Sequence, residues 1–68
     1  MYIVIELQKS AEGVVSNIVT DHATLAEAES KYHSVLASAA VSNVPVHSAI
    51  IVSAEAFPVE HKVYIHED

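Results

Sequence analysis

Apolar and polar residues alternate from the second residue onward. In YIVIELQ, residues 2–8, Ile3, Ile5 and Leu7 recur with period two opposite Tyr2, Val4, Glu6 and Gln8. That period and the β-branched and aromatic content predict a strand. Lys9-Ser10-Ala11-Glu12-Gly13 holds the single glycine of the chain, a natural site for the positive φ of a hairpin turn. VVSNIVT, residues 14–20, returns as a second strand. The period then changes: Leu25, Ala28, Tyr32, Val35, Leu36 and Ala39 fall on one stripe at helical spacing. Thr24-Leu25-Ala26-Glu27 has the form of a capping box, with Thr24 as N-cap and Glu27 reaching back. Pro45 cannot continue a helix and turns Val44 away from helical dihedrals, so the helix is expected to stop near Asn43. HSAIIVS, 47–53, predicts a third strand. VEHKVYIH, 59–66, predicts a fourth, with Val59, His61, Val63 and Ile65 on one face.

The expected fold is therefore α+β: a single ββαββ domain over residues 1–68, with a four-stranded antiparallel sheet and one helix on one face. It contains no repeats, linkers or low-complexity segments. The expected core is Ile3, Ile5, Leu25, Tyr32, Leu36, Ile51 and Val63, leaving Tyr2, Val4 and Tyr64 on a half-polar outer face. Val14-Val15 and Ile50-Ile51-Val52 break simple alternation, so the parity of strands two and three stays open. The two hairpins can pair within one protomer or between two.

The back of the helix is unusual. Opposite the core stripe lie Ala26, Ser30, Ser34, Ala37, Ser38 and Val41, bordered by Glu27, Lys31 and His33. A hydrated helix surface normally carries long charged side chains, whereas Ala and Ser let another backbone approach. Those six residues are the expected oligomer interface. Chain length points the same way. Sixty-eight residues sit near the lower limit for an independent core, and small domains commonly rely on disulfides, a metal or self-association. Cysteine is absent, and 51% of the residues are apolar with one helix to cover them.

Nine carboxylates against three lysines give a formal charge of -6. Nucleic acid and anionic membrane surfaces are therefore disfavoured as partners, because both require neutralisation of phosphate. No apolar stretch approaches the roughly 18 residues needed to span a bilayer, and no basic-then-apolar leader is seen, so a cytoplasmic protein is expected. The acids Glu6, Glu12, Asp21, Glu27, Glu29, Glu55 and Glu60 are scattered, and Glu67-Asp68 reads as a solvated tail. Histidines at 22, 33, 47, 61 and 66 show no metal-ligand spacing, and the serines lie in no nucleophile elbow. No metal, cofactor or catalytic activity is expected.

Lys31 and His33 flank the small-residue arc, and His47 opens strand three. If that arc packs on a second copy, Lys31, His33, Ser34, His47 and Ser48 would line an intersubunit pocket for a small anion, with Lys31 meeting its charge. The competing role of Lys31 is a surface pair with Glu27.

The words EAESKYH (27–33) and PVHSA (45–49), with the YIVIELQ start, resemble small uncharacterised proteins of phages and prophages of Firmicutes. That resemblance implies expression in a bacterial cytoplasm and gives weight to counter-defence roles, including sequestration of nucleotide-derived signals between subunits. The leading expectation is thus a homo-oligomer that binds a small anionic, nucleotide-derived ligand. The alternatives are an acidic module that inhibits or bridges a host or phage protein, and a ligand-free structural or assembly factor.

Overall fold

The computed structural model describes residues 1–66, so the expected Glu67-Asp68 tail lies outside the described residues. Four strands and one helix follow in the order β1 (Tyr2–Lys9), β2 (Val15–His22), α1 (Leu25–Ala40), β3 (Val46–Ser53) and β4 (Pro58–Ile65). All neighbours pair antiparallel in the order β2-β1-β3-β4, so both hairpins sit within one protomer. This is the ββαββ sheet expected from the pattern.

The helix begins where its sequence says it should. Thr24 has extended dihedrals, and its hydroxyl accepts from the Glu27 N–H at 3.2 Å, which satisfies one of the donors that an α-helix leaves free at its start. The return bond from the Glu27 carboxylate is absent among the described residues. At the other end the last turn tightens. Val41 N–H donates to Ser38 O at 3.3 Å, and Ser42 N–H to Ala39 O at 3.2 Å. The chain leaves the helix at Ala40, a few residues before the proline that forbids its continuation.

Both hairpins turn on the same device. Ser10 N–H donates to Val14 O, Gly13 N–H donates to Ser10 O, and the Ser10 hydroxyl accepts from Val14 N–H. In the second loop Ser53, Ala56 and Phe57 make the same three bonds. The residue three after the serine has positive φ in each case: Gly13 at 85° and Ala56 at 64°. Both loops are spelled Ser-Ala-Glu-x, a local duplication inside a chain that was expected to be free of repeats.

The helix stripe packs as expected: Ala28, Tyr32, Val35 and Ala39 are buried, with Leu25 and Leu36 against them. The sheet side of the core corrects the expectation. The residues beneath the helix are Val4, Ala49 and Ile51, with Tyr2 beside them, whereas Ile3 and Ile5 are only half-buried and Val63 is 51% exposed. The two faces are exchanged in β1 and β4. β2 and β3 both run antiparallel to β1, hence parallel to each other, and α1 is the crossover between them. Such crossovers have one preferred hand, so topology selects the side of the helix. The register then puts Val4 opposite Ile51 and Glu6 opposite Ala49 on that side. The more apolar parity, with Ile3, Ile5 and Leu7, is left on the open face.

Candidate binding cleft

The β1–β2 hairpin, the turn after α1 and the end of β4 enclose a cleft of about 740 Å³. Gln8, Ser10, Ala11, Val14 and Ser16 form its hairpin side; Ser42, Asn43, Val44 and Pro45 form its helix-end side; His66 completes it. The size lies within the range of small-molecule sites.

His66 ties these walls together. Its N–H donates to Pro45 O at 2.8 Å. Its ring Nε2 lies 2.8 Å from Ala39 O, and because a carbonyl only accepts, Nε2 carries the proton. Ala39 is in the last turn of α1, where carbonyls lack helical partners, so the imidazole acts as a C-terminal cap. The ring also stacks on Tyr64, with centroids 6.2 Å apart and planes at 4°.

The polar groups of the cleft are biased towards donation. Ser10 Oγ accepts from Val14 N–H at 3.1 Å, and Ser42 Oγ accepts from Val44 N–H at 3.0 Å. A hydroxyl whose lone pair is engaged still has its own O–H to give. Asn43 adds an amide, and Gln8 spends its amide nitrogen on Glu6 at 3.2 Å. No lysine and no carboxylate lines the cleft among the described residues, although the chain carries nine carboxylates. It suits a compact, oxygen-rich ligand that accepts hydrogen bonds.

The residues singled out from sequence do not converge within one protomer. Lys31, His33 and Ser34 lie on the outer side and border of α1, Lys31 half-buried and the other two exposed. His47 is buried under the helix at 4% exposure, and Ser48 is on the opposite face of the sheet. His47 Nε2 donates to Glu6 Oε2 at 2.6 Å, so Glu6 is a half-buried partner rather than part of a scattered solvated surface. His47 Nδ1 has no hydrogen-bond partner among the described residues. The six small residues on the helix back, Ala26, Ser30, Ser34, Ala37, Ser38 and Val41, are all exposed. Lys31, His33 and Ser34 would meet across a helix-to-helix contact; His47 and Ser48 would not join them.

The other histidines are dispersed. His22 is hydrogen-bonded to the Thr20 hydroxyl at 3.0 Å, and His61 is exposed on β4. No three His, Asp or Glu side chains are grouped to hold a metal among the described residues. Burial, with Glu60 and Tyr64 adding negative potential, raises the pKa of the Tyr32 hydroxyl above its ordinary 10.0.

Sequence reasoning missed the cleft because its walls are loops and a strand end. The available signal was Ser42-Asn43-Val44-Pro45, a polar, aperiodic run after a periodic helix, the kind of segment on which binding groups concentrate. No helix among the described residues is long and apolar enough to cross a membrane. No protein-family model matches the chain, and neither the curated proteins nor the solved structures include a significant match to it.

Proposed function

We propose that the protein binds and holds a small oxygen-rich anion in this cleft without turning it over. Nucleotide-derived signals are the ligand class suggested by the phage-like words of the sequence, and the bacterial cytoplasm is the corresponding setting. The observation that carries the proposal is the donor set: two serine hydroxyls already accepting from backbone N–H, an Asn amide and no carboxylate, in an otherwise acidic chain. In this setting the phosphate oxygens of a nucleotide accept hydrogen bonds without meeting a like charge at the cleft wall, and Val14, Val44 and Pro45 offer apolar surface to its base or sugar.

Calorimetry of the wild type against linear and cyclic nucleotides tests this. Binding by at least one member is expected, and Ser42→Ala or Asn43→Ala should weaken it by about 1 kcal/mol each, the usual net value of one hydrogen bond. No heat with any nucleotide refutes the ligand class. Weakening by Lys31→Ala, with Ser42→Ala and Asn43→Ala silent, moves the site to the outer side of α1.

A further inference from the structure

The open face of the sheet exposes a broad apolar surface, whose area and charge point to its occupant. At its centre Ile5 pairs with Ile50, flanked by Ile3 opposite Val52 and by Leu7 opposite Ser48. On the outer strands Val19 is 58% exposed, Val63 51% and Ile65 64%. Four eight-residue strands give the face a footprint of about 500 Å² at a rise of about 3.3 Å and a spacing of about 4.8 Å. Side chains standing off the sheet make the accessible area larger than this footprint, which is of the same order as the roughly 800 Å² per partner of a standard protein interface. Most positions on this face are apolar; Asn17, Ser48 and His61 are the polar ones in its middle rows, and its two charges, Lys9 and Asp21, stand at opposite ends.

We propose that a second copy of the chain covers this face, sheet against sheet, about a twofold axis running across the strands. The charges on the face choose both partner and axis. Lys9 ends β1 beside Val15, and Asp21 lies at the far end of β2, opposite Ile3. A twofold across the strands exchanges their ends, so each Lys9 comes over the Asp21 end of its mate. A twofold along the strands keeps the ends together and opposes Lys9 to Lys9 over the β1/β3 centre line. Only the first arrangement is complementary, and it gives the aligned packing usual for stacked sheets. The helices then form the outer layers, and both clefts stay open, since Gln8 and Ser16 belong to the helix-facing parity. This assembly is independent of what the cleft binds.

Sedimentation velocity on the wild type should show a dimer with micromolar dissociation or tighter. Ile50→Lys should abolish it. Should that variant lose its circular dichroism, Val63→Lys, at a half-exposed position of β4, reads the same face and should weaken the dimer at least ten-fold. Lys9→Glu and Asp21→Lys should each weaken it about two- to five-fold, as rim ion pairs do, and the double swap should restore it. A monomeric wild type overturns the proposal. So does a dimer that survives Val63→Lys, one broken by Ser34→Glu instead, or a double swap no better than the singles. Because oligomer size and ligand heat are separate readouts, failure here leaves the cleft proposal standing or falling on its own.

Discussion

Gly13 and Ala56 occupy the same place in two copies of one loop, which makes their exchange a sharp test of how the hairpins are built. Ala56 has φ of 64°, where the Cβ of an L-residue crowds the following carbonyl at a cost of about 1–2 kcal/mol. Glycine removes that cost but returns conformational freedom to the unfolded chain, worth about 0.4–1 kcal/mol. Ala56→Gly should therefore stabilise the protein by roughly 0.5–1 kcal/mol. Gly13→Ala should do the reverse by a similar amount. A Cβ built on Gly13 meets nothing within 4 Å, so no clash inflates the loss. The loops lie at opposite ends of the sheet, since Lys9 leads into one and Tyr2 pairs with Ser53 at the other. Their effects should accordingly add, leaving the double variant near wild type. Urea unfolding followed by circular dichroism, at one fixed protein concentration because a dimer couples stability to concentration, would read these shifts as changes of midpoint at constant slope. A destabilising Ala56→Gly would refute the reasoning: the positive φ would not be strained, and the duplication of the loops would be nominal.

Two further outcomes follow from buried groups. Glu6→Ala leaves the His47 Nε2–H under the helix without its acceptor, and should cost about 2 kcal/mol, within the range for a hydrogen bond to a charged group; a loss below about 1 kcal/mol in urea unfolding would mean that water replaces the carboxylate freely. Tyr32 has its pKa raised in the folded state, so its contribution is intact below about pH 10 and is lost as pH rises from there through the higher folded value. Stability measured on the alkaline side should fall more steeply in the wild type than in Tyr32→Phe, and parallel slopes would refute that assignment.

The helix and its stripe were legible because three independent signals agreed: the 3.6-residue period through Leu25, Ala28, Tyr32 and Leu36, the Thr24 cap and the Pro45 stop. Strand positions were equally plain. The cleft was not, because it is made by chain segments that meet only through topology: a hairpin end, the turn after α1, and a histidine that finds the helix terminus from the far end of β4. His47 illustrates the converse. Its sequence neighbourhood resembled a site, but its parity in β3 put it under the helix, where Glu6 from β1 satisfies it.

The exchanged faces have a physical origin that periodicity cannot reveal. A period of two says which residues share a side of a strand; it does not say which side is inside. That inference ordinarily comes from contrast, apolar in and polar out, and here the contrast points the wrong way. Val4, Ala49 and Ile51 beneath the helix share their parity with Glu6, Gln8, Glu60 and Lys62, whereas the open parity carries Ile3, Ile5, Leu7, Ile50, Val52, Val63 and Ile65. The helix needs only a narrow strip, because its own stripe supplies Tyr32 and Val35 and closes over small Ala28, Ala39 and Ala49. Polar side chains flank that strip at modest cost, since they reach water past the edges of a single helix. A second sheet offers no such escape: it covers four strands at once and demands an apolar face along most of their length. In the proposed dimer the stronger alternation belongs to the broader contact, so that the core pattern read from the sequence lies on the surface of the protomer.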